Sequence, residues 1–307
     1  MDQFHSSHLS SPEICPEDWP PSWSLRRLVA CWLLTLVSGG GGYLRLYWFL
    51  VSACMIRELS FRVNFLVRCA THLLWLSLML VFFQVIFRHT RTIGDLDEDR
   101  YLFFLGTSLT LNALVHCLFI TGCAEFSESV RTGNLDFVLL KPVDEQFLLT
   151  CQRIDWAMIP EVLFSMSVAA YAGYRIGGIP SMPRIICYCI LLGGGLAILY
   201  GLLVIISACS VWTVRHQELY ELWFHLVQFS RYPADIYGRH VLSALLGSVL
   251  TYVLPILVAV TVPARYGAML LESWHPVAYL LLAAVAALMI SRWIFRFALR
   301  SYQSASS

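Results

Sequence analysis

Lysine is nearly missing from this chain: of its 21 lysines and arginines, Lys141 is the one lysine. It is followed by Pro142 and preceded by no suitably spaced glycines, so the phosphate-cradling motif G-x-x-x-x-G-K-[ST] is absent. The glycine runs at 39–42 and 193–195 are therefore not phosphate loops, and ATP binding through a P-loop is excluded. Charge of either sign is scarce, at 13% of residues, where a soluble domain carries about 25%. The ten cysteines contain no C-x-x-C and the nine histidines no H-E-x-x-H. Cys187 and Cys189 lie inside an apolar run and read as small apolar helix residues. His72 and His116 also sit within apolar segments, where helix-to-helix hydrogen bonding is a better reading than metal ligation. No cofactor is expected, and a net charge of +1 gives no reason to expect nucleic acid.

What the chain has instead is grease. Its 307 residues are 58% hydrophobic, with a mean hydropathy of +0.67. A helix crossing the hydrocarbon core needs roughly 20 mainly apolar residues. Segments 69–87, 101–123, 156–174, 185–209, 241–262 and 274–292 meet that need, the last with Arg292 snorkelling to the interface. The expectation is an all-α integral membrane protein with six transmembrane helices. With the N-terminus inside, Arg88, Arg91, Arg100, Arg175, Arg184 and Arg265 fall outside and the other 15 cationic residues inside. The positive-inside rule then places both termini in the cytoplasm.

Residues 1–42 read as a disordered or poorly placed extension, with Pro12, Pro16, Pro20 and Pro21 in its polar first part. The stretch 28–37 follows Arg26 and Arg27 like the apolar core of a signal peptide, but no convincing cleavage site follows. It is expected to be a short interfacial helix or an ill-ordered extension; as a span it would raise the count to seven. Residues 43–68 mix Arg45, Arg57, Glu58, Arg62 and Arg68 with dense aromatics. That pattern fits an amphipathic helix lying in the inner interface, a tilted span from Leu46 being the alternative.

Between the second and third spans the chain interrupts itself. Glu125 and Glu128 lie three apart near the end of the second helix. Gly133 is a natural C-cap, and an apolar block, Leu135 to Leu140 with Asp136 inside it, is stopped by Lys141 and Pro142. Asp144 is then a good N-cap for a helix beginning at Glu145. Apolar residues rimmed by charge suggest a protein partner; the alternative is a helix that touches only lipid headgroups.

The run RTGNLDFVLLKPVDEQF at 131–147, with R-I-D at 153–155, resembles a family of ATP-binding-cassette (ABC) transporter permeases of the type-2, exporter-like class. RELSFRVNF at 57–65, VWTVR at 211–215, RYPADIY at 231–237 and YQSASS at 302–307 carry the resemblance over about 43 to 307. It implies an N-terminal interfacial helix, a six-span permease domain over 69–307, a cytoplasmic coupling helix between spans two and three, and a short re-entrant segment at 263–276. It also implies a separate ABC ATPase subunit in two copies, a second permease copy or paralogue, and a bacterial inner-membrane location among membrane lipids. Glu125, Glu128, Arg131, Gly133, Leu135, Asp136, Leu139, Lys141 and Pro142 would form the ATPase-coupling element. Glu161 is either interfacial, with Pro160 opening its helix, or part of a pathway or inter-subunit contact. The chain itself is expected not to be an enzyme, and a hydrophobic or amphipathic export substrate is implied by the resemblance alone. An ATP-independent channel or carrier would show paired broken helices and buried charge. An intramembrane enzyme would show convergent His, Asp, Ser or Cys. Neither pattern stands out.

Overall fold

The computed structural model describes residues 42–302 apart from Gly94, 141–143, Gln152, Ile179, 214–215, 234–236, 238–240 and Glu272. The expected N-terminal extension, up to residue 41, and the tail 303–307 lie outside the described residues. The chain divides into two units, Met1–Leu46 and Tyr47–Ser307, and the architecture below is that of the second.

Helix α1 (Gly42–Ser60) is followed after a one-residue break at Phe61 by α2 (Arg62–His89). The chain expected to lie flat over 43–68 thus splits, and its last charged turns run straight into the first long helix. The physical reason is local: no breaker stands between Arg62 and Cys69, and Arg68 has Asp155 as an ion-pair partner. Two short antiparallel strands, β1 (Thr92–Ile93) and β2 (Leu96–Asp97), turn the chain into α3 (Glu98–Thr132). After the short α4 (Leu135–Leu139) and α5 (Glu145–Cys151) come α6 (Ile159–Gly177), α7 (Met182–Cys209) and α8 (His216–Gln228). The chain ends with α9 (Val241–Ser248), α10 (Ile256–Gly267) and α11 (His275–Ser301).

Helices α2, α3, α7 and α11 are each long and apolar enough to cross a membrane. A chain of this kind must satisfy its backbone internally, which helices do. With no water to squeeze out, helices associate by close packing at small residues. In α7, a side chain built on Gly195 would meet the Ala259 carbonyl oxygen of α10 at 2.3 Å, and one on Gly201 would meet that of Ala287 in α11 at 2.9 Å. Helix α6 lies along α3 in the same way, Gly106 leaving room for the Ala169 backbone while the Thr110 and Ser165 hydroxyls lie 3.1 Å apart.

The region 210–262 departs from expectation. Helix α8 falls between the expected fourth and fifth spans, yet it enters the bundle antiparallel to α3. Trp223 is buried in the central core, the Phe224 ring lies 5.1 Å from that of His116, and the Ser108 hydroxyl donates to the Ser230 carbonyl at 3.3 Å. The expected span 241–262 is not straight: Ser243–Val253 and Ile256–Gly267 meet at 84°. Pro255 has no amide to continue the helix, and Leu254 beside it is non-helical. The contacts of this bent pair fall on one half of the bundle. Gly267 lies against Phe103 and Tyr188, Ala259 against Gly195, and Thr251 accepts a hydrogen bond from the Tyr279 hydroxyl at 3.1 Å.

Gly195→Val is expected to drive a branched side chain into the α10 backbone, at about 1–3 kcal/mol. Gly193, whose added side chain would meet nothing within 4 Å, is expected to accept alanine. Thermal melts of the two variants in detergent, followed by monodisperse recovery on size exclusion, check the contrast.

Candidate functional site

The elbow between α3 and α6 is built from the end of α3 outward. Near its middle, α3 widens into a π turn at His116–Ile120. A π turn accommodates one extra residue, and here the Cys117 carbonyl accepts the Asp155 amide at 2.9 Å. That bond pins the far end of the elbow against α3. Asp155 also accepts the Ala157 amide at 3.1 Å and pairs with Arg68 of α2.

Past the π turn, α3 continues to Thr132 and ends at Gly133, whose φ of 74° is the left-handed C-cap that glycine adopts without strain. Reversal there lays α4 back on the bundle. Leu135 is fully buried against Phe126, Phe295 and Ala298, with the Phe126 and Phe295 rings 5.3 Å apart. The other side of this short helix faces away: Phe137 is 70% and Leu140 81% exposed, and Leu139 is also exposed. Beside them Arg131 donates to Glu128 at 2.5 and 2.9 Å, an exposed pair of small stabilising value.

Asp144 opens α5 by accepting the Phe147 amide at 3.0 Å, the N-cap geometry. The same carboxylate accepts two hydrogen bonds from Arg292 of α11, one at 2.8 Å, and Arg292 reaches Gln146 at 3.1 Å. Gln146 in turn donates to the Tyr200 hydroxyl of α7 at 3.1 Å. The Arg292 guanidinium, reinforced by the Phe147 amide, holds the Asp144 carboxyl below the usual aspartate range. The elbow is thus fastened to the last helix and to α7 as well as to α3.

Of the residues singled out in the sequence, Gly133, Leu135, Asp136 and Leu139 come together here, with Asp136 beside the Tyr302 side chain. Lys141 and Pro142 lie outside the described residues. Glu125 and Glu128 part company: Glu128 pairs along its own helix, whereas Glu125 turns inward to an ion pair with Arg153. Sequence reasoning missed the fasteners Arg153, Gln146, Tyr200 and Arg292, since each acts on a partner distant in the chain. Inboard of the elbow, a 280 Å³ polar recess is lined by Arg57, Glu58, Arg68, Arg153 and Asp155. Burial, and then the Asp155 carboxylate, raise the Glu58 carboxyl above its ordinary range. Glu161 stands in the first turn of α6, opened by Pro160, with its carboxylate 3.4 Å from the His72 ring nitrogen of α2. Among the described residues no group of three His, Cys, Asp or Glu is placed to hold a metal.

The described residues thus form a bundle of long apolar helices with a short two-sided helix, α4, fastened to it. Among known families, residues 73–306 match the family described as ABC-2 family transporter protein, and the chain belongs to that family. It is an ABC transporter permease, a multi-pass membrane component that is not itself catalytic, in a family whose permeases work with ABC ATPase subunits. No curated protein and no solved structure matches the chain.

Because the folded Asp144 carboxyl is held below its unfolded value of about 3.9, its contribution is full above that pH. It is lost as pH falls from there through the lowered value. Asp144→Ala, which removes cap and clamp together, is expected to lower the melting temperature at pH 7. The gap to the unmodified protein should narrow as the melts are repeated at progressively more acidic pH.

Proposed function

We propose that residues 125–153 are the coupling foot of the permease, seated in a groove of a separate ABC ATPase subunit on the cytoplasmic side. The observation that carries this reading is the two-sidedness of α4. Leu135 is locked into the bundle while Phe137, Leu139 and Leu140 are displayed beside the Glu128–Arg131 pair. An apolar cluster rimmed by charge is the form of a protein contact. Fastening through Asp144–Arg292, Gln146–Tyr200 and Glu125–Arg153 lets a push on the foot reach α3, α7 and α11 without dissipating in a loose loop. Lys141 and Pro142 complete the element in this proposal, and Gly133 and Asp136 shape it.

The rest of the reading follows from the same assignment. Two ATPase copies would drive two permeases, a second copy of this chain or a paralogue, in a bacterial inner membrane with both termini cytoplasmic. The cargo would be a hydrophobic or amphipathic molecule moved outward. The six crossings are then α2, α3, α6, α7, α8 and α11. Helix α8 with the turn after it reaches residue 231, about 24 Å at 1.5 Å per residue, a short crossing that local thinning of the bilayer accommodates, and the bent pair α9–α10 serves as the re-entrant element. That moves the fifth crossing ahead of 241–262 and the re-entrant segment ahead of 263–276. Glu161 in this scheme ties α6 to α2 through His72 near the inner interface, within the moving parts rather than on the foot.

A photo-crosslinking amino acid at Leu140 in the native host is expected to capture a nucleotide-binding ATPase subunit, identified by mass spectrometry. Adducts to lipid alone would refute the coupling assignment. Leu139→Asp combined with Phe137→Asp should reduce co-purification of the ATPase about tenfold or more, as for a buried interface anchor, while the amount of permease in the membrane stays unchanged. Glu125→Arg is expected to fail differently: repulsion from Arg153 loosens the elbow and lowers thermal stability as well.

A further inference from the structure

Helices α6 and α7 are consecutive, joined by a few residues, yet they do not lie against each other. Helix α6 follows α3, and α7 follows α10 and α11. Between them a cleft of about 320 Å³ remains, walled by Met166 and Ala170 on one side, Ile185 and Leu192 on the other, and Phe103 and Tyr188 at the back. The hydroxyls at its back are already satisfied: those of Tyr188 and Thr107 bond each other at 2.9 Å, and Thr110 donates to the Gly106 carbonyl at 2.7 Å. A water would need 2–4 polar partners, so the cleft is dry. Met166, Ala170 and Ile185 on its lips are exposed, and along a membrane helix that exposure is to lipid tails.

The mouth has a different chemistry. Arg184 lies in the first turn of α7, and its guanidinium donates to the Met269 sulfur at 3.7 Å, a weak acceptor rather than a charge partner. Met269 itself holds a φ of 58°, a conformation non-glycine residues rarely adopt and one that clusters where ligands are clamped. It bends over Gly177, where an added side chain would come within 2.1 Å of the Met269 methyl. A cation at the rim, the Met269 thioether across it and an apolar slot running from Arg184 to Leu192, about 12 Å deep, make a site with a head end and a tail end.

We infer that this cleft binds one acyl chain of a membrane phospholipid, with the phosphate held by Arg184 at the mouth. Phosphate is the anion that Arg matches in charge and geometry, and a dry apolar slot at hydrocarbon depth has acyl chains as its surroundings. The inference requires that the chain be embedded in a bilayer and is independent of the coupling foot.

The test uses the full chain in nanodiscs doped with phosphatidylglycerol carrying a diazirine midway along one acyl chain, and the same chain on uncharged diacylglycerol. Illumination is expected to label the Met166–Gly173 and Ile185–Leu192 segments. Ala170→Trp, or Ile185→Trp from the opposite lip, fills the slot and should remove that label while labelling elsewhere persists. Arg184→Gln should erase a preference for the phospholipid over diacylglycerol of roughly tenfold, the value of one charge-assisted hydrogen bond. Unchanged labelling in both tryptophan variants, or equal labelling by the two lipids in the unmodified protein, overturns the site.

Discussion

Hydrocarbon offers a peptide group nothing to bond to, and nearly every feature of this protein follows from that refusal. It is why the chain is almost wholly helical over its described length, why glycines sit where α7 meets α10 and α11, and why irregular backbone is tied down. The π turn in α3 shows the rule at its tightest. The Cys117 carbonyl within it finds the Asp155 amide, and the same bond fixes the return of the elbow. A local irregularity and a tertiary anchor are one interaction.

The elbow inherits its stiffness from this arrangement. Asp144 does three things with one carboxylate: it starts α5, binds Arg292 and thereby joins α5 to the last helix. Gln146 extends the tie to Tyr200 of α7. The elbow is therefore part of the bundle rather than an appendage hung from it, and Phe137 and Leu140 are exposed on α4 while Leu135 is locked into the bundle.

Much of this was legible in the sequence wherever the signal is local. Gly133 and Asp144 announce a C-cap and an N-cap through their own chemistry, and both are found in those roles. The apolar block after Gly133 was visible as a unit. What it does at each position was not, since burial of Leu135 depends on Phe295, far away in the chain. Nor does the sequence separate Glu125, which pairs with Arg153 across the elbow, from Glu128, which pairs along its own helix. Hydropathy gives only part of 210–262 for a related reason. Helix α8 is polar by composition but satisfies Ser230 against Ser108 and buries Trp223. The greasier stretch after it is broken at Leu254 and Pro255. A window average measures grease; it cannot register a partner or a kink.

The surplus residue in α3 has one further consequence. Each residue along a helix turns the next by about 100°, so the half of α3 that meets α6 and the half that meets α11 are phased by that single insertion. Without it the rod would keep its length and its apolar character, but Phe126 would swing away from Phe295 and the whole foot would point elsewhere. The direction of the elbow is set by an angular offset within α3, about three turns before the chain reverses at Gly133.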